Sequence, residues 1–211
     1  MQPLPDAFAE LDFTHDWTLA GSLEFTGHGV HTGAATRLIL HPATSAGLIL
    51  RHQGQEIPIQ VSDVRDTRFC TTISGVMTLE HVLAALNGLG ISAAVIEVAG
   101  PEAPILDGSA GPIVAAVLAA GIMPLASQRR IYRLTRPWRW QHGEIRIDAE
   151  PARQLEITYA IDFQRSESRL RQELRFVWSP AAFAADIAPA RTFAFAADVE
   201  AMRAQGLVRG G

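Results

Sequence analysis

Thr78-Leu79-Glu80-His81-Val82-Leu83-Ala84-Ala85-Leu86-Asn87-Gly88-Leu89-Gly90-Ile91-Ser92-Ala93-Ala94-Val95-Ile96-Glu97-Val98 holds a helical pattern and then a strand pattern, and the pair decides the fold class. Leu79, Val82, Leu83 and Leu86 recur at i, i+3, i+4 and i+7, which places four apolar side chains on one helix face. Thr78 suits the N-cap, and Gly88 and Gly90 suit the end. Ala93 to Val98 then reads as a buried strand, and Pro112 to Ala120 as a second helix closed by Gly121. On the wheel of the first helix, Glu80 and His81 fall off the apolar stripe and share their side with Ala84 and Ala85. Such a face suits a cleft. It also suits a surface acid favoured by the helix dipole beside a half-exposed histidine, and the pattern alone leaves both open.

Working outward, Ser22 to Thr26, Thr36 to Leu40 and Leu48 to His52 read as strands divided by Gly and Pro turns. The first twenty residues, with Pro3, Pro5 and His15, lack clear periodicity and read as a loosely held extension. Beyond Arg129 the same grammar returns. Gly143 to Ala149 and Leu155 to Ile161 look like a strand pair, Leu174 to Trp178 like a third strand, and Pro180 to Ala185 and Ala196 to Gln205 like helices. Leu38 to Ala43 followed by Leu48 to Leu50 resembles Arg146 to Ala152 followed by Leu155 to Ile157: strand, Pro-Ala corner, strand. The expected architecture is α+β, with two similar domains meeting near Ser127. Residues 1–20 form the extension, 21–127 the first domain and 128–211 a second domain that is incomplete.

Composition narrows the function classes. With 48% hydrophobic residues in 211, the chain can bury a sizeable core. A net charge of −4 argues against a nucleic-acid partner. Arginines cluster from Arg129 to Arg139 and from Arg165 to Arg175; they read as solvated strand and loop positions, or at most a patch for a phosphate-bearing small molecule. The single cysteine, Cys70, excludes an internal disulfide and fits a reducing cytosol. No leader pattern and no run long enough to insert in a membrane is present, so the expected location is cytoplasmic. The three glycines of Gly27 to Gly33 suggest an anion nest, although the next segment of chain looks like a strand rather than a helix. Asp107 and Ser109 read as residues that shape the turn before the second helix.

Five blocks of sequence, in order, resemble one family. They are Gly27-His28-Gly29-Val30-His31-Thr32-Gly33; Val64 to Thr72; Thr78 to Ile91; Gly100-Pro101-Glu102-Ala103-Pro104-Ile105-Leu106-Asp107-Gly108-Ser109-Ala110; and Ala190-Arg191-Thr192-Phe193. Together they are similar to the UDP-3-O-acyl-N-acetylglucosamine deacetylases. The resemblance implies a zinc-dependent hydrolase that removes acetate from a UDP-linked, 3-O-acylated amino sugar during lipid A synthesis in Gram-negative bacteria. It also implies a fold of two similar α+β domains with the site at their junction. By the same resemblance Glu80 is the general base, His81 a Zn2+ ligand and Thr192 the donor to the developing oxyanion. His31 would line the site entrance and Cys70 the cavity wall, Cys70 as a packing residue. Phe193 would lie along the sugar, and Phe163 would stack on uracil or serve as an ordinary strand residue.

Departures from the family pattern set further expectations. The resemblance implies two more zinc ligands in a His-x-x-x-Asp segment, and none of the seven histidines is followed by Asp four residues on. The family's later catalytic histidine is likewise not matched. Ala194 stands where glycine usually follows Thr-Phe, and would be strained if that position needs φ > 0. These departures point to a C-terminally truncated deacetylase whose isolated chain binds zinc weakly and turns over no substrate, with apolar faces left uncovered in the second domain. Two alternatives stand beside it: a non-catalytic paralogue binding a nucleotide sugar or acyl chain, and one piece of a split enzyme completed by a second chain. Val199, Met202 and Leu207 suit either an acyl passage or core packing.

Overall fold

The computed structural model describes residues 13–164 and 169–210; residues 1–12 of the expected extension, Arg165 in the second arginine cluster, and Gly211 lie outside the described residues. In chain order the elements of the first half are β1 (His15–Leu19), β2 (Leu23–His28), β3 (Ala35–Pro42), β4 (Gly47–His52), β5 (Gln55–Pro58), β6 (Val64–Asp66), β7 (Thr72–Ile73), α1 (Glu80–Gly88), β8 (Ala93–Ala99), α2 (Gly111–Ala120) and β9 (Ile122–Gln128). The second half holds β10 (Trp138–His142), β11 (Ile145–Ala149), β12 (Glu156–Gln164), β13 (Arg169–Val177), the short α3 (Pro180–Ala182) running into a wide turn at Phe183–Ile187, and α4 (Ala196–Ala204). The architecture is α+β.

Alternation in β3 and near-continuous burial of β8 build the centre. The five-stranded sheet runs β2-β3-β8-β4-β5, with β4 parallel to β8 and the other pairs antiparallel. Leu38, Leu40, Leu50, Ile96 and Val98 point from it into the core, where α1 supplies Val82, Ala85 and Leu86 and α2 supplies Ile113, Val114 and Val117. Each fully buried leucine contributes about 1.5–3 kcal/mol of transfer free energy, so this layer is what holds α1 in place. The outer face is mixed, with Ala93 and Val95 packed against Ala43, Ile49 and Leu125 beside a polar group. There His41 Nε2 lies 3.0 Å from Glu97 Oε2, and Arg51 Nη1 donates to the same oxygen at 3.2 Å. The bond to His41, then that from Arg51, holds the Glu97 carboxyl below its usual pKa.

His15–Leu19, counted on sequence with the loose extension, is instead a strand. It pairs antiparallel with β9, and Trp17 and Leu19 are buried. Asp16 is also buried and accepts from Ser92 Oγ at 2.7 Å and Ser127 Oγ at 2.8 Å, which ties β1 to the start of β8 and to β9. The reason is cooperative: two apolar residues, Trp17 and Leu19, alternating with Asp16 and Thr18 are too short a signal to read alone, and they become a strand because β9 offers a partner.

The later strands form two hairpins. β10 pairs with β11 and β12 with β13, so 145–149 and 156–164 do not pair with each other as the sequence suggested. Each hairpin is two-faced. Trp138, Trp140, Ile145 and Ile147 share one side of the first; Ile157, Tyr159 and Phe163 lie opposite Phe176, Leu174 and Leu170 in the second. The reverse side of the second carries Arg175 against Glu156 and Arg169 against Asp162, as expected of solvated arginines; solvent screens exposed pairs of this kind, so they add little to stability. Most of the apolar side is exposed among the described residues. Phe176 is an exception and packs on the central core.

Candidate active site

Three loops and one helix end converge around Glu102. The sequence pattern gave this residue no distinct role, and it is fully buried. Its Oε2 accepts from Thr32 N–H at 2.9 Å and Thr32 Oγ1 at 2.8 Å; the His31 N–H reaches both oxygens at 3.1 and 3.2 Å; Thr78 Oγ1 donates to Oε1 at 2.7 Å. The glycine loop is therefore a nest, but its amides hold an internal carboxylate. Burial raises the Glu102 pKa, and the bonds from Thr32, His31 and Thr78 outweigh it, leaving the group below its usual value. Gly29 must lack a side chain here, since a Cβ would sit 2.6 Å from both the Glu102 carboxyl carbon and Thr32 Oγ1.

Thr78 is not the N-cap expected from the sequence. Leu79 takes that position, without a side-chain cap bond, and Thr78 turns its hydroxyl to Glu102. Its φ is +61°, left-handed backbone that a β-branched residue rarely adopts. Such a conformation costs on the order of 1–3 kcal/mol and persists where surroundings impose it. Immediately beyond, Glu80 and His81 are half-buried at the first turn of α1, while Ala85, expected beside them, lies in the core. Glu80 Oε2 accepts from Thr71 N–H at 2.9 Å. Cys70 is buried, with Sγ 3.8 Å from Thr72 Oγ1, a packing environment. His31 is buried, its ring centre 6.4 Å from that of Phe69, and its Nδ1 has no hydrogen-bond partner among the described residues. Residues 209 and 210 lie across this loop, Gly210 N–H donating to the Val30 carbonyl at 3.1 Å.

A second group gathers the later residues. Phe163, Phe193 and Phe195 form a T-shaped aromatic triad with centroid separations of 6.3, 5.8 and 5.9 Å. Phe163 is 39% and Phe193 58% exposed, so both keep a surface to offer a ligand. Thr192 is exposed, and its N–H donates to the Gly108 carbonyl at 2.8 Å. Gly108 sits in the turn where Asp107 Oδ1 accepts from Ser109 Oγ and N–H. Burial raises the Asp107 pKa, but the Ser109 bonds and the nearby Arg191 charge hold it below its usual value. Ala194 has no positive φ and carries no strain of the kind anticipated. Val199, Met202 and Leu207 are half-buried, and none joins the central core.

Hydrogen bonds link the His31 loop through Glu102 to Thr78, and Thr71, next to Cys70, to Glu80; Phe193, next to Thr192, packs on Phe163. The Gly100–Ala110 stretch reaches both groups, through Glu102 at one end and Gly108 at the other. The zinc fit fails here: no three His, Cys, Asp or Glu side chains among the described residues are placed to hold a metal, so His81 stands as a single ligand candidate. No helix among the described residues is long and apolar enough to cross a membrane.

An acid and an imidazole side by side at the start of a helix are residue types that a hydrolase centre uses. The family model for UDP-3-O-acyl N-acetylglycosamine deacetylase matches residues 16–211, and the chain belongs to that family. Proteins named UDP-3-O-acyl-N-acetylglucosamine deacetylase from Shewanella piezotolerans, Shewanella pealeana and Shewanella baltica are each 37% identical over 205 residues, covering 92% of this chain and 67% of each relative. These relatives give no support to a binding-only paralogue, to a split enzyme, or to truncation as a property of the protein.

Proposed function

We propose that this chain hydrolyses the acetamide of a UDP-linked, 3-O-acylated N-acetylglucosamine, in the cytoplasm and as a step of lipid A synthesis. The observation that carries this reading is the family match running from residue 16 to 211, through both groups of residues. Water adds to the acetamide carbonyl, the C–N bond breaks, and acetate and the free amine leave. Glu80 is the general base. The Thr71 N–H fixes its Oε2, which leaves Oε1 to take the water proton. Thr192, held by Gly108, donates its hydroxyl to the carbonyl oxygen as charge develops there. Phe193 and Phe163 supply apolar surface for the sugar and base, and His31 lines the approach. The family's zinc would polarise the carbonyl; because the described residues do not complete its site, no step here is routed through it, and His81 is proposed only as one ligand.

The test is acetate release from the UDP-sugar by the purified chain, with and without added Zn2+, for wild type and Glu80→Gln. Wild type should release acetate, against the expectation from the sequence that the isolated chain is inactive, and E80Q should be slower by about 10²–10⁴-fold. Folded wild-type protein that binds the sugar and releases no acetate would refute the reading. Turnover recovered only on adding a second chain bearing His-x-x-x-Asp would replace it with the split arrangement.

A further inference from the structure

We propose that Glu102 is a positioning residue that sets the first turn of α1, and so Glu80 and His81, against the His31 loop. This rests on the deacetylase reading of Glu80 and His81 but not on any metal. Three observations converge. Glu102 is a fully buried carboxylate that makes no ion pair among the described residues, so hydrogen bonds alone hold it. Those bonds go to two separate segments: residues 31 and 32 on one side, Thr78 on the other. The backbone repeats the same link, with Met77 N–H donating to the Pro101 carbonyl and Ala103 N–H to the Met77 carbonyl, each at 3.0 Å.

Thr78 explains why a carboxylate is needed. Its left-handed backbone directs the chain into α1 two residues before Glu80. A hydroxyl bond of 2.7 Å to a group that is itself fixed by the loop holds that conformation. Moving Glu102 would release the loop and the helix entry together. A surface carboxylate, or a cap on one segment alone, could not couple them.

Hydrogen exchange read by mass spectrometry on the full chain tests the coupling without needing turnover. Glu102→Gln should speed exchange in peptides covering both 29–34 and 71–81 by about tenfold or more, leaving 93–99 unchanged. Thr78→Val should speed exchange in 71–81 alone, and Thr78→Ser, which keeps the hydroxyl, should match wild type. Glu97→Gln on the outer sheet face is the control and should match wild type throughout. In acetate release, E102Q and T78V should lower kcat by about 10- to 100-fold with KM within about threefold, the signature of misplaced reacting groups, and T78S should restore kcat. If E102Q affects only 29–34, Glu102 merely anchors the loop and the proposal fails. If E102Q exchange rises everywhere, the T78V and T78S pair decides: identical behaviour of those two overturns it. An inactive wild type would sink the deacetylase reading, while the exchange results would still judge the coupling.

Discussion

Replacing Gly88 by alanine tests how the two groups of site residues are held in register. Gly88 ends α1, and its missing side chain is where the Phe183 ring packs. A Cβ built there would come within 2.5 Å of Phe183 Cγ, with two further ring atoms as close. Phe183 is buried, so the ring cannot swing into solvent without opening the core. Trp178 Nε1 also donates to the Gly88 carbonyl at 3.2 Å, so the 178–187 segment would be displaced from two anchors together. Overpacking of this kind costs about 1–3 kcal/mol, and loss of the indole bond adds about 1 kcal/mol. Alanine's better helix propensity returns at most about 1 kcal/mol. The net expectation is roughly 1–3 kcal/mol of destabilisation, a drop in Tm of about 2–12 °C for a domain of this size. Calorimetry gives the first readout and the Trp178 indole N–H resonance the second. Phe183→Leu in the G88A background should recover part of the loss by making room. A G88A protein as stable as wild type, with the Trp178 resonance unmoved, would refute the claim that this contact docks the Thr192-bearing segment on α1.

Two other outcomes rest on the geometry. Thr192→Val, which keeps the shape but removes the hydroxyl, should lower kcat for acetate release by about 10²–10³-fold with Tm little changed, measured by steady-state kinetics and calorimetry. The Glu102 carboxyl has a folded pKa below its ordinary 4.5; its contribution is therefore complete above about pH 4.5 and is lost as pH falls through the lower folded value. Wild-type Tm should accordingly fall more steeply than that of E102Q on acidification below pH 4.5, and parallel curves would contradict this.

Periodicity carried the helices well. Leu79, Val82 and Leu86 marked α1, and Gly121 closed α2 where the sequence placed its end, with φ at +85°. Strands with weak local signal escaped. β9 contains Pro124, which a sheet interior excludes but which a strand with one partner tolerates. β10 sets Arg139, Gln141 and His142 beside its two tryptophans, and pairing with Ile145 and Ile147 makes it a strand. Glu80, His81 and Thr192 were identified through resemblance, since one acid and one imidazole on a wheel fit a solvated face as well. Glu102 was passed over because Pro-Glu-Ala-Pro looks like exposed loop, and burial is set by distant residues. Its one legible trace was the glycine loop, whose cluster of amide donors had to find an acceptor.

The pairing of β1 with β9 carries a consequence for synthesis. His15 finds its partner at Gln128, so the strand made first waits for more than a hundred residues before it can be placed. Closing so long a loop is slow relative to local contacts. At typical elongation rates the nascent chain spends on the order of 5–20 seconds with Trp17 and Leu19 unsheltered. During that interval β1 is a sticky apolar segment open to chaperones or to a neighbouring nascent chain. The tract from β2 to α2 must assemble around a vacancy that only its last strand allows to be filled.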